Sequence, residues 1–263
     1  MKYIFYEAIK DTQNSVFAQQ QNAFQGRVHF HRAFEITYIC DGQAGYLVED
    51  QTFYVQKHDI VFAHCYYRHQ SNNEYPHSKY VIAIPEKLSK DISDLFRTST
   101  LPCHMHDTEF NRTLFPYFEK LIQNPDMSTM LAVAYVNIIV GTLAEHYALV
   151  PIKPKCKHVA FIASILEYID VHYAEPITLE TIATQFGYNK AYFSRLFNKY
   201  INMSLSNYIN MVRYDHFKEQ YHQNTGENLT QLIFNCGFTS TATFYRIHKY
   251  RSEQSRRYTI GNP

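Results

Sequence analysis

The chain has 263 residues, of which 46% are hydrophobic, and a formal net charge of only +1. This length and composition predict one or two domains with buried cores. The near-neutral net charge by itself is not evidence for a nucleic-acid partner. No run of eighteen apolar residues occurs, which argues against a membrane span, and the first residues lack the apolar segment of a signal peptide. The five cysteines form no CxxC pair, a pattern typical of reduced thiols in a cytoplasmic protein.

Residues 1–85 are predicted to form short strands separated by polar turns. The segment 34–40 predicts a strand, Asp41-Gly42 a hairpin turn, and 44–49 the returning strand. Evenly spaced short strands are typical of a sandwich or barrel. Further strands are predicted at residues 52–56, 60–64 and 80–84.

Three histidines and a glutamate in this region form a candidate ligand or metal site. His29 and His31 are two residues apart, so on a strand both side chains point to one face. With Glu35 and His69 they make a set suited to Zn, Fe, Mn or Ni. The spacing resembles the motif of cupin barrels, and in regulators with such barrels these histidines can be structural or ligand-contacting. We therefore predict an effector pocket for a small molecule that the sequence does not specify, and a divalent transition metal is the less favoured occupant.

Residues 86–150 are predicted to be a helical extension that mediates dimerisation. Helices are predicted over 111–124 and 128–147, with a break at Asn124-Pro125-Asp126. The second helix is apolar on most faces, which indicates burial against the barrel or a second subunit. We place Val136 and Ile139 on its outer face. The charged segment 151–157 is predicted to be a linker.

The sequence predicts two helix-turn-helix units, at residues 178–200 and 229–250, joined by a helix at roughly 205–221. Thr178 can cap the first helix, and Gly187 and Gly237 can form the turns. Apolar residues at helical spacing predict the buried faces of the first unit: Leu179, Ile182, Ala183 and Phe186 on one helix, and Phe193, Leu196, Phe197 and Tyr200 on the other.

The C-terminal hundred or so residues resemble the DNA-binding domain of the AraC/XylS family of transcription regulators. The IA…GY…YFSRLF stretch, Tyr208…Arg213 and the CGF…FYR stretch carry the resemblance. It implies that residues 158–263 form an all-α domain that reads two successive major grooves of double-stranded promoter DNA. The resemblance also implies that the protein is a cytoplasmic activator or repressor with RNA polymerase as a partner. Regulators of this family commonly form homodimers.

The second helix of each unit carries the predicted DNA contacts. Arg195 can donate two hydrogen bonds to a guanine, and Arg246 is the corresponding base reader in the second unit. Ser194 can reach most bases. Lys190, Tyr192 and Lys199 are better placed for phosphate. The remaining predicted contacts are Ala191, Asn198, Thr241, Ala242, Tyr245 and Lys249.

The second unit departs from the family pattern. Ile233 replaces the usual small alanine and His248 the usual phenylalanine, which predicts looser docking and weaker sequence readout. This half would then hold phosphates through Lys249, Arg251, Arg256 and Arg257.

The predicted fold class is α+β with two domains. An N-terminal cupin-like β-barrel (jelly roll) with following helices precedes an all-α tandem helix-turn-helix domain. We predict a sequence-specific transcription regulator that is not an enzyme, with effector sensing or dimerisation by the cupin-like domain. One alternative is a metal-dependent cupin enzyme with an accessory helical domain. Another is a DNA-binding protein whose barrel has lost ligand binding and serves only as a dimer scaffold, which a filled, apolar interior would favour.

Overall fold

The structure is a computed structural model that describes residues 5–7, 15–22, 28–72, 74–155, 157–223 and 228–259. The chain divides into two compact units, residues 1–156 and 157–263. Strands dominate the first unit, and the described residues of the second form helices. The predicted combination of a sheet-rich N-terminal region and a helical C-terminal region is therefore confirmed.

Antiparallel pairs build most of the first unit, and β1 and β3 form one parallel pair. The strands are β1 (Phe5–Tyr6), β2 (Phe17–Asn22), β3 (His29–Phe30), β4 (Phe34–Val48), β5 (Gln51–Gln56), β6 (Ile60–Ala63), β7 (His69–Ser71), β8 (His77–Ile84), β9 (Ser99–Thr100), β10 (His104–Met105) and β11 (Val150–Pro151). The helices are α1 (Lys90–Leu95), α2 (Thr108–Gln123) and α3 (Thr129–His146).

One long strand, β4, belongs to both halves of the sheet. Its first part pairs with β6 and β8, and its second part pairs with β5 and β7. The predicted hairpin turn at Asp41-Gly42 is wrong, because the strand continues through a register shift between Ile39 and Asp41. Gly42 has a φ of +77°, and a Cβ there would overlap the backbone of Pro76. Gly42 therefore adopts its positive φ at a bulge inside the strand, and the chain does not reverse direction there.

Buried apolar side chains form the core of this unit. Tyr38 of β4 packs against Phe115 and Phe118 of α2, with ring centroids 5.5 and 5.1 Å apart. These contacts fix α2 on the sheet. A second cluster lies along β4, β5 and β6 and contains Ile39, Ala44, Tyr46, Val48, Val55, Val61, Ala63 and Tyr67.

Two predicted boundaries in this unit differ from the structure. The predicted helical extension, 86–150, also supplies a strand to the sheet, because β10 pairs antiparallel with β6. The predicted linker, 151–157, begins inside β11, which pairs with β9. The Lys153 N–H donates to Tyr67 Oη at 2.6 Å, so this segment is docked on the first unit. Cys156 lies outside the described residues.

Helix α3 is buried on one side and apolar on the other. Val136 and Ile139 are fully buried, so their predicted place on the outer face is wrong. The exposed large apolar residues are Met130, Leu131 and Ile138, of which Met130 is 85% exposed. With 18 residues and a mean hydropathy of 1.3, α3 could cross a membrane by length and composition alone. A helix that packs in the core of a soluble protein passes the same test.

The second unit contains α4 (Lys157–His172), α5 (Leu179–Gln185), α6 (Lys190–Ile201), α7 (Leu205–Gln223), α8 (Leu229–Asn235) and α9 (Thr241–Thr259). Side-chain oxygens of Thr178, Asn189 and Asn228 accept hydrogen bonds from the first turns of α5, α6 and α8. Helix α9 runs past the predicted end at residue 250, since no glycine or proline follows to stop it before Gly261.

The two turn glycines are expected to differ in their sensitivity to substitution. Gly187 and Gly237 both have positive φ, so alanine at either site should cost about 1–2 kcal/mol for the backbone conformation alone. A Cβ on Gly187 meets no atom within 4 Å, whereas one on Gly237 would lie 2.8 Å from the Ala174 Cα. We expect Gly237→Ala to lower the free energy of unfolding clearly more than Gly187→Ala in urea titrations. Equal losses of unfolding free energy in the two variants would mean that the close approach of Gly237 to Ala174 does not affect stability.

Candidate nucleic-acid interface and effector site

The candidate effector site lies on the first unit, where β3, β4 and β7 bring together His29, His31, Glu35 and His69. The four candidate ligand atoms all lie within 4.8 Å of one another. Glu35 contacts two of the histidines, with Oε2 3.2 Å from His31 Nε2 and Oε1 3.5 Å from His69 Nε2. The register explains the meeting, since His29 is opposite His69 on paired strands.

Backbone carbonyls orient two of these rings. His31 Nδ1 hydrogen-bonds the Ala33 carbonyl at 2.9 Å, and His69 Nδ1 hydrogen-bonds the Tyr67 carbonyl at 2.8 Å. Each ring therefore turns its Nε2 toward Glu35, as metal-binding histidines held by an outer partner commonly do. The donor set thus fits a divalent transition metal, although the same contacts also suit a purely structural network.

The first unit also contains a buried lysine, Lys79, whose burial the sequence patterns did not predict. Lys79 is 4% exposed, and its Nζ donates to Ser71 Oγ at 2.5 Å and to Tyr46 Oη at 3.2 Å. Burial, and then the negative charge of Glu35, raise the pKa of Tyr46 above its ordinary value. The sequence carries a weak signal for this burial. Lys79 and Val81 are two residues apart on β8, so their side chains point to the same face of the strand.

In the second unit, Arg213 fastens α7 to the loop that follows α4. Its Nε donates to the Tyr173 carbonyl at 2.7 Å, and its second guanidinium nitrogen donates to the Glu175 carbonyl at 2.8 Å. Burial lowers the pKa of Arg213 from its ordinary value. Gly237 approaches the same loop at Ala174. One loop therefore contacts both the connecting helix and the second helix-turn-helix turn.

Helix α6 presents the predicted reading face outward. Phe193 and Phe197 are buried, whereas Arg195 and Asn198 are exposed and Ser194 is half-buried. The remaining predicted contacts on this helix, Lys190, Ala191, Tyr192 and Lys199, are also exposed. The side chains have the orientation that major-groove reading requires, and their contact with DNA stays a prediction.

Helix α9 has the same arrangement. Phe244 and Ile247 are buried in the core of the second unit, while Arg246 and Tyr245 are exposed. Of the other predicted contacts, Ala242 and Lys249 are exposed and Thr241 is half-buried. Of the predicted phosphate contacts, Arg251 is largely buried against Asp215, with its guanidinium 2.8 Å from the carboxylate. Arg256 and Arg257 lie outside the residues whose side chains are described.

The contacts of α9 with α7 do not show the looser docking that the sequence predicts. Ile233 is 1% exposed and packs in the same cluster as Phe244. His248 Nδ1 and Tyr214 Oη share a hydrogen bond of 2.8 Å. The larger aliphatic side chain is thus accommodated, and the histidine replaces an apolar contact with a polar one.

Comparison with known proteins identifies a domain in the second unit. A family profile described as a helix-turn-helix domain matches residues 182–255, which include α6, α7, α8 and the first part of α9. The chain carries an AraC-type helix-turn-helix domain. This domain contains both predicted reading faces.

The curated relatives match about a third of this chain. An uncharacterized HTH-type transcriptional regulator of Staphylococcus aureus strain MSSA476 is 25% identical over 91 residues, which are 35% of this chain and 12% of that protein. The uncharacterized regulator YijO of Escherichia coli K12 is 29% identical over 96 residues, 36% of this chain and 34% of its own length. The chain therefore matches only a minor part of these curated relatives.

Among solved structures, ToxT from Vibrio cholerae O395 aligns with 90% of this chain and 94% of its own chain. The sequence identity is 11% and the TM-score 0.41. A likeness this low carries no conclusion about what the first unit binds.

Proposed function

We propose that this chain is a sequence-specific transcription regulator that binds promoter DNA through α6 and α9. The observation that carries the proposal is the pair of helix-turn-helix units, each with a buried aromatic face and an exposed face bearing an arginine. Arg195 and Arg246 would donate to guanine edges, and Lys190 and Lys199 would contact phosphates. The regulator would act in the cytoplasm and affect recruitment of RNA polymerase.

The first unit would be a cupin-like barrel that senses a small molecule. Support comes from the buried polar groups described above, since Glu35, Lys79 and the histidines can hydrogen-bond a polar ligand. These groups also favour a sensor over a barrel that is only an apolar scaffold. The match to a helix-turn-helix domain favours a regulator over a metal-dependent cupin enzyme.

The metal question for this site has a direct test. We expect protein purified without chelators to carry no stoichiometric transition metal at His29, His31, Glu35 and His69. Elemental analysis of the wild type and of a His29→Ala, His31→Ala double variant measures this. A metal present in the wild type and lost in the double variant would overturn the preference for a metal-free effector site.

A homodimer through α3 is part of the proposal. Leu131, Ala134, Ile138 and Gly141 are exposed at alternating spacings of three and four residues. This spacing gives an apolar stripe of the kind that pairs two helices. A two-fold axis would bring two DNA-binding units to one promoter, and linked binding would raise affinity.

Charged residues on this stripe are expected to dissociate the dimer. Leu131→Glu with Ile138→Glu should give a folded monomer that binds DNA more weakly and without cooperativity. Light scattering and DNA titration measure the two effects. Val171→Glu in α4 is the matched control, because Val171 is an apolar residue on a helix and is itself 75% exposed. A wild-type monomer at micromolar concentration would contradict the dimer.

The regulatory function is tested by mapping bound sites in the native genome, with and without candidate metabolites. We expect discrete promoter sites with a shared sequence, and a change in occupancy with the effector. Uniform, salt-sensitive binding with no preferred sequence would contradict sequence-specific regulation.

A further inference from the structure

Two histidines and an aspartate meet at a second place in the first unit. Asp59 lies just before β6, and His104 and His106 lie in and just after β10. His104 Nε2 is 3.0 Å from Asp59 Oδ2, and His106 Nδ1 is 2.7 Å from Asp59 Oδ1. One ligand atom from each residue lies within 4.8 Å of the other two.

The antiparallel register produces this meeting. His104 pairs with Val61 and Met105 with Ile60, so the next step places His106 opposite Asp59. Residues two apart on a strand share a face, so both imidazoles lie on one side of β10. Nothing in the sequence links His104 and His106 to a residue forty-odd positions earlier.

Neighbouring contacts hold two of the three side chains. The Asp59 side chain is fully buried, and Oδ2 accepts a hydrogen bond from the Gln56 N–H at 3.0 Å. The His104 ring stacks on Phe53 with centroids 4.6 Å apart and planes 8° from parallel. His106 is 62% exposed, so an ion can reach the group from solvent. The arrangement combines two fixed ligands with one accessible ligand.

We propose that Asp59, His104 and His106 bind one divalent transition metal ion of the Zn²⁺ class. Two imidazole nitrogens and one carboxylate oxygen are ligands that Zn²⁺ accepts, and water would complete the coordination. The ion would take the place of the hydrogen bonds that now join Asp59 to each ring. None of these residues belongs to the cluster around Glu35.

The position of the ion gives it a structural consequence. Asp107 follows His106 directly and caps α2, accepting from the Phe110 N–H at 3.1 Å. The other Asp107 oxygen contacts His146 of α3 at 2.9 Å. A metal at His106 therefore ties the sheet to the start of α2 and, through Asp107, to the end of α3. Metal binding should raise the thermal stability of the first unit.

The test is a Zn²⁺ titration of the full chain by calorimetry, with elemental analysis after gel filtration. His106→Ala should bind one fewer equivalent than the wild type, or bind at least about tenfold more weakly. His104→Ala should behave alike, because each supplies one ligand. His172→Ala in α4 is the control, because it removes a half-buried histidine that lies outside this cluster. His31→Ala separates this site from the cluster around Glu35.

Retention of the full wild-type stoichiometry and affinity in His106→Ala would overturn the proposal. Loss of all Zn²⁺ in His31→Ala together with unchanged binding in His106→Ala would do so as well. Half an equivalent per chain, accompanied by zinc-dependent association in gel filtration, would mean an ion shared between copies and not this site. Since His106 is exposed, circular dichroism of the metal-free variant should match the wild type, which keeps the comparison interpretable.

Discussion

Arg251→Ala is expected to destabilise the second unit by about 3 kcal/mol or more. The Arg251 guanidinium lies 2.8 Å from Asp215 Oδ1, and the two side chains are only 9% and 7% exposed. Removing the arginine takes away a 2.8 Å contact of a largely buried carboxylate, while Lys218 Nζ lies 3.9 Å from the same oxygen. Breaking a buried ion pair from one side costs far more than the pair contributes. The measurement is urea unfolding of the full chain, with hydrogen exchange of α7 and α9 to locate the loss.

An exposed ion pair provides the matched control. Arg97 and Asp94 are 3.4 Å apart with side chains 74% and 51% exposed, so Arg97→Ala should change stability by no more than about 0.5 kcal/mol. The double variant Arg251→Met, Asp215→Leu should recover much of the loss, because two apolar side chains leave no buried charge. If Arg251→Ala cost no more than Arg97→Ala, the pair would not be what anchors α9.

Arg195→Ala is expected to weaken binding to the preferred DNA site by about 1–3 kcal/mol and to relax the sequence requirement at one half-site. Arg246→Ala should have an effect of similar size at the other half-site. The sequence predicted a smaller effect for Arg246, but the buried Ile233 and the bonded His248 hold α9 firmly. Selection of binding sites from a random DNA library, followed by titration of the selected site, measures both quantities.

Two further variants separate base reading from charge. Lys199→Ala should weaken binding to all sequences equally and reduce its salt dependence, because a phosphate contact carries no sequence information. Arg97→Ala removes one positive charge from the first unit and should leave the sequence preference intact. If Arg195→Ala relaxes the sequence preference and Arg246→Ala does not, the sequence-based prediction of weaker readout by the second helix-turn-helix unit would be correct.

The helical unit was predictable because its signals are local. Thr178 and Asn228 cap helices, glycines mark the turns, and apolar residues recur at helical spacing, all within a few residues of one another. The exposed positions of Arg195 and Arg246 follow from the burial of Phe193 and Phe244 on the opposite faces. Confirmation of this region as an AraC-type domain matches the resemblance found in the sequence.

The sheet was harder to predict because its signals are non-local. Asp41-Gly42 has the composition of a turn, and only the closeness of Pro76 in the fold shows that it is a bulge. Helix α3 is apolar on nearly every face, so spacing could not show that Val136 points inward and Ile138 outward. The meeting of Asp59 with His106 depends on the pairing of β6 with β10, which periodicity does not reveal.

The sharing of β4 between both halves of the sheet affects the order in which the units acquire structure. Phe34 pairs with Ile84 and Phe17 with Ala83, so the sheet cannot form until about fifty to sixty-five intervening residues have been brought together. Closing such long loops is slow, whereas the helices of the second unit form from neighbouring residues. We therefore expect refolding to show a fast helical phase and a slower phase from the sheet. A refolding chain would then be able to bind DNA before its sensor can respond to an effector.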